Sequence, residues 1–364
     1  MNSIHAPEDS EVLKMKNNKD IIQPNELSQD TKASMKTRII SAIIGCAVVI
    51  PIILVGDIFI FVFMIFVLLV STYEIIHCAK KKYNPALYIT AFVLALLMTF
   101  WPIIRSIPTY IKNVIPFSWH IFPMFTELNI SIPVLALSVF GLFTLVLIDK
   151  GFTVRDACFI FTMMLTITVG YQCALIIRYL PSIAYHGIVG ESTVAAIESI
   201  ESSESYFNLY DNLESCLLIV YILIGTFMTD VGAYFVGVFF GKHKMLERVS
   251  PKKTWEGFFG GVFFSIICSF GFAMAFLATG HPLVIGVLDL KHWYIVLILS
   301  CLLPLSSVLG DFVFSSAKRY FNIKDFGNII PGHGGILDRL DSVIFSMITA
   351  GVFLSLFQYW SQFQ

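Results

Sequence analysis

The chain of 364 residues is 57% apolar and 13% charged, with a formal net charge of −1. Soluble globular chains carry about a quarter charged residues, and the apolar residues here come in long uninterrupted runs, so an ordinary water-soluble fold is excluded. The seven cysteines (Cys46, Cys78, Cys158, Cys173, Cys216, Cys268 and Cys301) lie in or beside those runs with no C-x-x-C pair. Neither a structural zinc site nor a disulfide framework is indicated.

Residues 1–36 are rich in Lys, Asn, Asp, Glu and Ser and lack large apolar clusters, which predicts a disordered tail. Nine apolar runs follow, at about 38–55, 58–79, 86–105, 131–148, 156–178, 216–240, 257–279, 293–313 and 341–360. About 20 apolar residues span a bilayer as a helix, which satisfies its own backbone hydrogen bonds. With the N-terminus in the cytoplasm, the tail, the 80–85 and 149–155 turns and the 241–256 and 314–340 loops all face that side. Those segments hold 20 of the 24 Lys and Arg; the others are Arg105, Lys112, Arg178 and Lys291. This is the positive-inside pattern. The acidic 179–214 loop, without Lys or Arg before Glu214, belongs outside. Asn129-Ile130-Ser131, a glycosylation-acceptor match, falls on the same side.

The expected fold is an all-α polytopic integral membrane protein of about nine transmembrane helices. It divides into the tail 1–36, N-terminal helices over 37–215, and C-terminal helices over 216–364 that carry the two basic loops. No internal repeat of the kind common in secondary transporters is visible.

The last loop concentrates the unusual residues. Asp338 and Asp341, three apart at the start of the final run, project from one helix face. Asp311, after Gly310, closes the preceding run. Clustered carboxylates without Cys partners suit a hard cation such as Mg²⁺, which shares its shell with substrate phosphates. Lys318, Arg319, Lys324 and Arg339 suit phosphate oxygens. Gly332, Gly334 and Gly335 let backbone N–H groups approach an anion beside a helix N-terminus, and His333 sits among them as a donor. Taken singly, each has a plainer reading. Cytoplasmic Lys and Arg set topology, Asp338 favours a helix dipole, and glycines between helices make turns. Their joint occurrence in one stretch favours a site.

The other loop adds Lys252, Lys253 and Thr254 just before a helix, an arrangement that suits phosphate. Asp230 lies inside the sixth run, where an ionisable residue is a functional candidate by default. Gly237…Gly241-Lys242 is not a Walker A motif. Gly232 and Gly237, with Gly257, Gly260 and Gly261, predict close packing of two helices.

The stretch from Ser315 to Asp341, K-R-x(4)-K-D-x-G-x(2)-I-P-G-H-G-G-I-x-D-R-L-D after its leading Ser, resembles the signature of the phosphatidate cytidylyltransferase family. So do D-x-G-A-Y…G-K from Asp230, S-P-K-K-T-W-E-G-F-x-G-G from Ser250, and Gly310-Asp311. The resemblance covers about residues 225–345. It implies Mg²⁺-dependent transfer of a cytidylyl group from CTP to phosphatidate at the cytoplasmic face of a membrane, giving CDP-diacylglycerol and pyrophosphate. Under it Asp311, Asp338 and Asp341 hold the metal, with Asp230 as a further metal or substrate contact. Lys252, Lys253, Thr254, Lys318, Arg319, Lys324, Arg339 and the glycines hold the phosphates, His333 orients or donates to one, and Asp325 organises the loop. A homodimer is a candidate assembly, and no nucleic-acid partner is expected. A CTP-dependent lipid-alcohol kinase, a cytidylyltransferase for an isoprenoid ether lipid and a transporter remain the alternatives.

Overall fold

The structure is a computed structural model that describes residues 29–113, 131–188, 209–332 and 334–361, with side chains over a narrower part of each. Among the described residues there are nine helices: α1 (Gln29–Val55), α2 (Asp57–His77), α3 (Pro85–Asn113), α4 (Ile132–Ile148), α5 (Val154–Ile188), α6 (Leu209–Phe240), α7 (Trp255–Ala278), α8 (Trp293–Tyr320) and α9 (Leu337–Ser361). Six contain spans long and apolar enough to cross a membrane: Phe59–His77, Val154–Arg178, Cys216–Phe240, Trp255–Ala278, Trp293–Tyr320 and Leu337–Leu356. Ile40–Val55, Pro85–Trp101 and Ile132–Ile148 are shorter apolar helices. The protein is an all-α polytopic membrane protein in architecture. A single two-stranded hairpin, β1 (Lys244–Leu246) with β2 (Ser250–Thr254), interrupts that rule among the described residues.

Local sequence sets several helix ends. Ser131 caps α4, its hydroxyl accepting from the Val134 N–H at 3.3 Å, with Pro133 in the first turn. Gly56, at φ +72°, reverses the chain between α1 and α2. Phe100 leaves helical geometry and kinks α3.

The helices run beyond the apolar runs that mark them. Residues 29–36, expected in a disordered tail, form the first turns of α1, and α5 continues to Ile188. The helix α8 continues to Tyr320, so Asp311 lies within it rather than at its end, and Lys318 and Arg319 occupy its last turn rather than a loop. Hydropathy marks only the hydrocarbon-embedded part of a helix, whereas intrahelical hydrogen bonding continues wherever polar helix formers follow. Residues 1–28 of the tail, most of the acidic loop, Asn129, Ile130 and His333 lie outside the described residues.

Two apolar clusters form the core, and α5 contributes to both. The first gathers α2, α3, α4 and α5 around Leu68, Leu142 and Met164, and it also takes in Phe314, Phe326, Leu337 and Ile344 from the C-terminal helices. The second joins α5 to α6, α7, α8 and α9. The two halves therefore share one interior.

Hydroxyl pairs such as Ser71–Tyr171 and Tyr221–Ser300 link helices within the bundle, and charged side chains make contacts at its two ends. At one end Lys81 pairs with Asp156 at 2.7 Å, Asp149 accepts the Asn84 N–H at 3.3 Å, and Arg155 donates to the Tyr320 hydroxyl at 2.8 Å. This brings the 80–85 and 149–155 turns and the end of α8 together, as the charge pattern predicts. At the other end the buried Arg178 donates through Nε to the Ile53 carbonyl at 2.9 Å. It thereby satisfies a carbonyl at the C-terminus of α1 that has no intrahelical partner.

Candidate active site

The helices α6 and α7 pack at the distance that glycine allows. A Cβ on Gly232 would meet Phe264 Cβ at 2.7 Å, one on Gly257 the Ala233 carbonyl at 2.8 Å, and one on Gly261 the Thr229 carbonyl at 2.6 Å. This is the expected close packing, and it sets Asp230 on α6 beside the segment that enters α7. That segment is the hairpin. Thr254 ends β2 and caps α7, its Oγ1 accepting from the Gly257 N–H at 3.2 Å. Glu256 accepts from the N–H groups of Lys242 and His243 at 3.1 and 3.2 Å. Both residues hold the hairpin against α7, and Thr254, expected as a substrate contact, also borders the cavity beside Asp230 and Lys253.

On the facing side, Gly310 lets α8 approach α9. A Cβ there would meet the Asp341 carbonyl at 2.7 Å and Phe345 Cβ at 2.9 Å. Asp311 is thereby placed against Asp341.

The carboxylates and ammonium groups alternate. Lys253 pairs with Asp311, whose other oxygen accepts from Ser315 at 3.3 Å. Asp230 is in electrostatic contact with both Lys253 and Asp311, and Asp341 with Asp230, Asp311 and Lys318. Lys318 lies 2.9 Å from Asp338 and 3.9 Å from Asp341, with side-chain exposures of only 10%, 3% and 12%.

Asp338, expected as a metal ligand, has both carboxylate oxygens engaged within the chain. Its Oδ1 accepts from Lys318, and its Oδ2 accepts from the backbone N–H of Phe326 at 2.8 Å and of Gly335 at 3.0 Å. It latches the 321–336 loop closed across its own base. The glycines likewise serve the chain before any ligand. The Gly335 N–H goes to Asp338 and the Gly334 N–H to the Ile330 carbonyl at 3.2 Å, while Gly332 and Gly334 adopt φ of +75° and +90°. Arg319 donates to the carbonyls of Val249 at 3.3 Å and Ile323 at 3.2 Å, tying the hairpin to the loop after α8.

The remaining residues line space. A cleft of about 640 Å³ is bordered by Lys252, Lys324, Asp325, Asn328, Gly332 and Arg339. A second cavity of about 260 Å³ is bordered by Asp230, Tyr234, Lys252, Lys253, Phe258 and Val308. Lys252 belongs to both. The first is basic, and the second joins a carboxylate and two ammonium groups to apolar walls.

The donor set of Asp230, Asp311 and Asp341 is all oxygen and fits a hard divalent cation in kind. Among the described residues no three His, Cys, Asp or Glu side chains are spaced to hold one metal position.

Sequence reasoning missed Glu74. It comes from α2, is 1% exposed, and accepts the N–H groups of Ile336 at 3.0 Å and Leu337 at 2.8 Å at the start of α9. The signal was available, because Glu74 is the single acidic residue in the 58–79 run. The rule that singled out Asp230 applies to it equally.

The model of the cytidylyltransferase family matches residues 36–357. Phosphatidate cytidylyltransferase of Bacillus subtilis is 42% identical over 171 residues, 46% of this chain and 59% of its own length. The proteins of that name from Mycobacterium leprae and Staphylococcus epidermidis are 42% and 39% identical over 135 and 144 residues. Those matches take in 37% and 39% of this chain, and 39% and 50% of the relatives' lengths.

Proposed function

The chain belongs to the cytidylyltransferase family, and from that premise we propose that it makes CDP-diacylglycerol from phosphatidate and CTP. The observation that carries this reading is one juxtaposition at the end of a bundle of apolar helices. A basic cleft of Lys252, Lys324 and Arg339 adjoins, through Lys252, a cavity that joins Asp230 and Lys253 to apolar walls. The cleft suits a nucleoside triphosphate, and the cavity suits a lipid phosphate whose chains stay in the bilayer. The names and identities of the relatives support the same pair of substrates.

In the reaction, a phosphate oxygen of phosphatidate attacks the α-phosphorus of CTP. The bond from that phosphorus to the bridging oxygen of the β-phosphate breaks, and pyrophosphate leaves with the electron pair. No protein nucleophile is needed; alignment and charge neutralisation supply the catalysis. Lys252, Lys324 and Arg339 hold the triphosphate oxygens, and Lys253 and Lys318 draw the two anions together. His333 orients a phosphate oxygen, and Asp325 shapes the rim of the cleft. One or two of the carboxylates Asp230, Asp311 and Asp341 would hold Mg²⁺, which neutralises phosphate charge when bound. Arg319, Thr254 and Asp338 keep the loops in place. The site faces the cytoplasm, the side that the Lys and Arg distribution selects.

The test is pyrophosphate release by purified protein in detergent with CTP, phosphatidate and Mg²⁺. Release should require the lipid, stop with a chelator, and fall about 100-fold in Asp341→Asn with the melting temperature retained. Release of CDP in place of pyrophosphate would overturn the reading in favour of phosphoryl transfer.

A further inference from the structure

We propose that Glu74 is a positioning residue for nucleotide binding, fixing the loop of residues 321–336 from the opposite half of the chain. Its own helix disfavours it. Glu74 lies in the last turn of α2, where the helix dipole opposes a carboxylate, and its burial removes the water that would offset this. What compensates is distant in sequence. The two carboxylate oxygens accept the Ile336 and Leu337 N–H groups at the start of α9, donors that would otherwise lack intrahelical partners. A helix N-terminus favours the charge that a helix C-terminus rejects.

A second, steric observation is independent of those hydrogen bonds. A Cβ on Gly335 would collide with the Glu74 carboxylate, lying 2.7 Å from both Cδ and Oε2. A Cβ on Gly327 would lie 3.1 Å from Cδ of the same group. Two glycines of the loop therefore leave room for one side chain from α2. With Asp338 holding the N–H groups of Phe326 and Gly335, the loop is fastened at its base by two buried carboxylates. Asn328 and Gly332 lie between those fixings and Lys324 and Asp325 directly precede the first of them, and all four border the basic cleft. Glu74 does not border the cleft and acts through the loop that does.

This rests on the cytidylyltransferase reading for its kinetic consequence but not for its structural one, so two readouts are taken on the full chain in detergent. In Glu74→Gln the charge is lost while the size is kept. We expect kcat/KM for CTP to fall about 10-fold, as for other residues that orient a binding group. The KM for phosphatidate should stay within about twofold of wild type. A merely structural role would instead lower kcat by the folded fraction and leave both KM values alone, which would overturn the proposal. The second readout is amide hydrogen exchange at Ile336 and Leu337, which should quicken in Glu74→Ala while the α5 amides stay protected. Unchanged exchange there overturns the proposal whatever the activity does. Gly335→Ala should be damaging alone and relieved in the Glu74→Ala background, where its methyl group has space; equal damage in both backgrounds also counts against it. If the wild-type protein releases no pyrophosphate, the reaction fails as a reading, and the exchange and compensation results still decide this one.

Discussion

Asp338 and Asp341 sit on one helix face three residues apart, yet their surroundings give them separate work. Asp338 has both oxygens engaged by Lys318 and two loop N–H groups, whereas Asp341 faces Asp311 and Asp230. Lys318 is the residue that both depend on. Its side chain is 10% exposed and lies within 3.9 Å of each carboxylate. Lys318→Met should therefore leave buried charge uncompensated and cost about 3–5 kcal/mol of stability. Thermal unfolding in detergent measures this, and a loss of activity at unchanged stability would assign Lys318 to substrate alone. The sequence spacing showed that the two aspartates share a face. Which of them latches the loop depends on Phe326 and Gly335, and no periodicity reports those contacts.

At the scale of elements, glycines decide where helices meet. On α7, Gly261 lies against α6, while a Cβ on Gly271 would meet nothing within 4 Å. Gly261→Leu should force the helices apart, at a cost of about 1–3 kcal/mol, and draw Asp230 away from Lys253. Gly271→Leu, on the same helix, should be silent. Pyrophosphate release and thermal unfolding of the two variants test the difference, and similar behaviour would mean that the close approach positions nothing. The glycine pattern on these two runs was readable from the sequence because both partners are sequence neighbours joined by a short hairpin. The matching approach of α8 to α9 through Gly310 was not, since a single glycine gives no pattern.

At the scale of the molecule, the basic turns gather at one end of the bundle with the cleft, and Arg178 closes the carbonyls of α1 at the other. The topology predicted from charge can be tested with single cysteines in a cysteine-free background. Lys82→Cys and Lys324→Cys should react with a membrane-impermeant maleimide only after permeabilisation, and Lys291→Cys before it. Labelling of Lys324→Cys and Lys291→Cys from the same side would contradict the assignment. Core packing adds a second point at this scale: Phe314 and Leu337 are buried in the same cluster as Leu68 and Leu142. The N-terminal helices are therefore part of the framework that holds the site and are not separable from it.

By itself the sequence determined the membrane class, the positions of the apolar helices, the grouping of basic turns at one end, and the residues of the signature stretch. These are properties of composition and spacing, which hydrophobic burial and the bilayer read directly. Helix ends were not legible, because backbone hydrogen bonding carries α1 and α8 past the apolar residues that mark them. Only the tertiary structure decided that Thr254, Arg319 and Asp338 hold loops together, that Lys253 stands on Asp311, and that Glu74 reaches α9. Each of these depends on which neighbour satisfies a buried charge or an unpaired backbone group. That neighbour is chosen by packing between segments as far apart as α2 and α9.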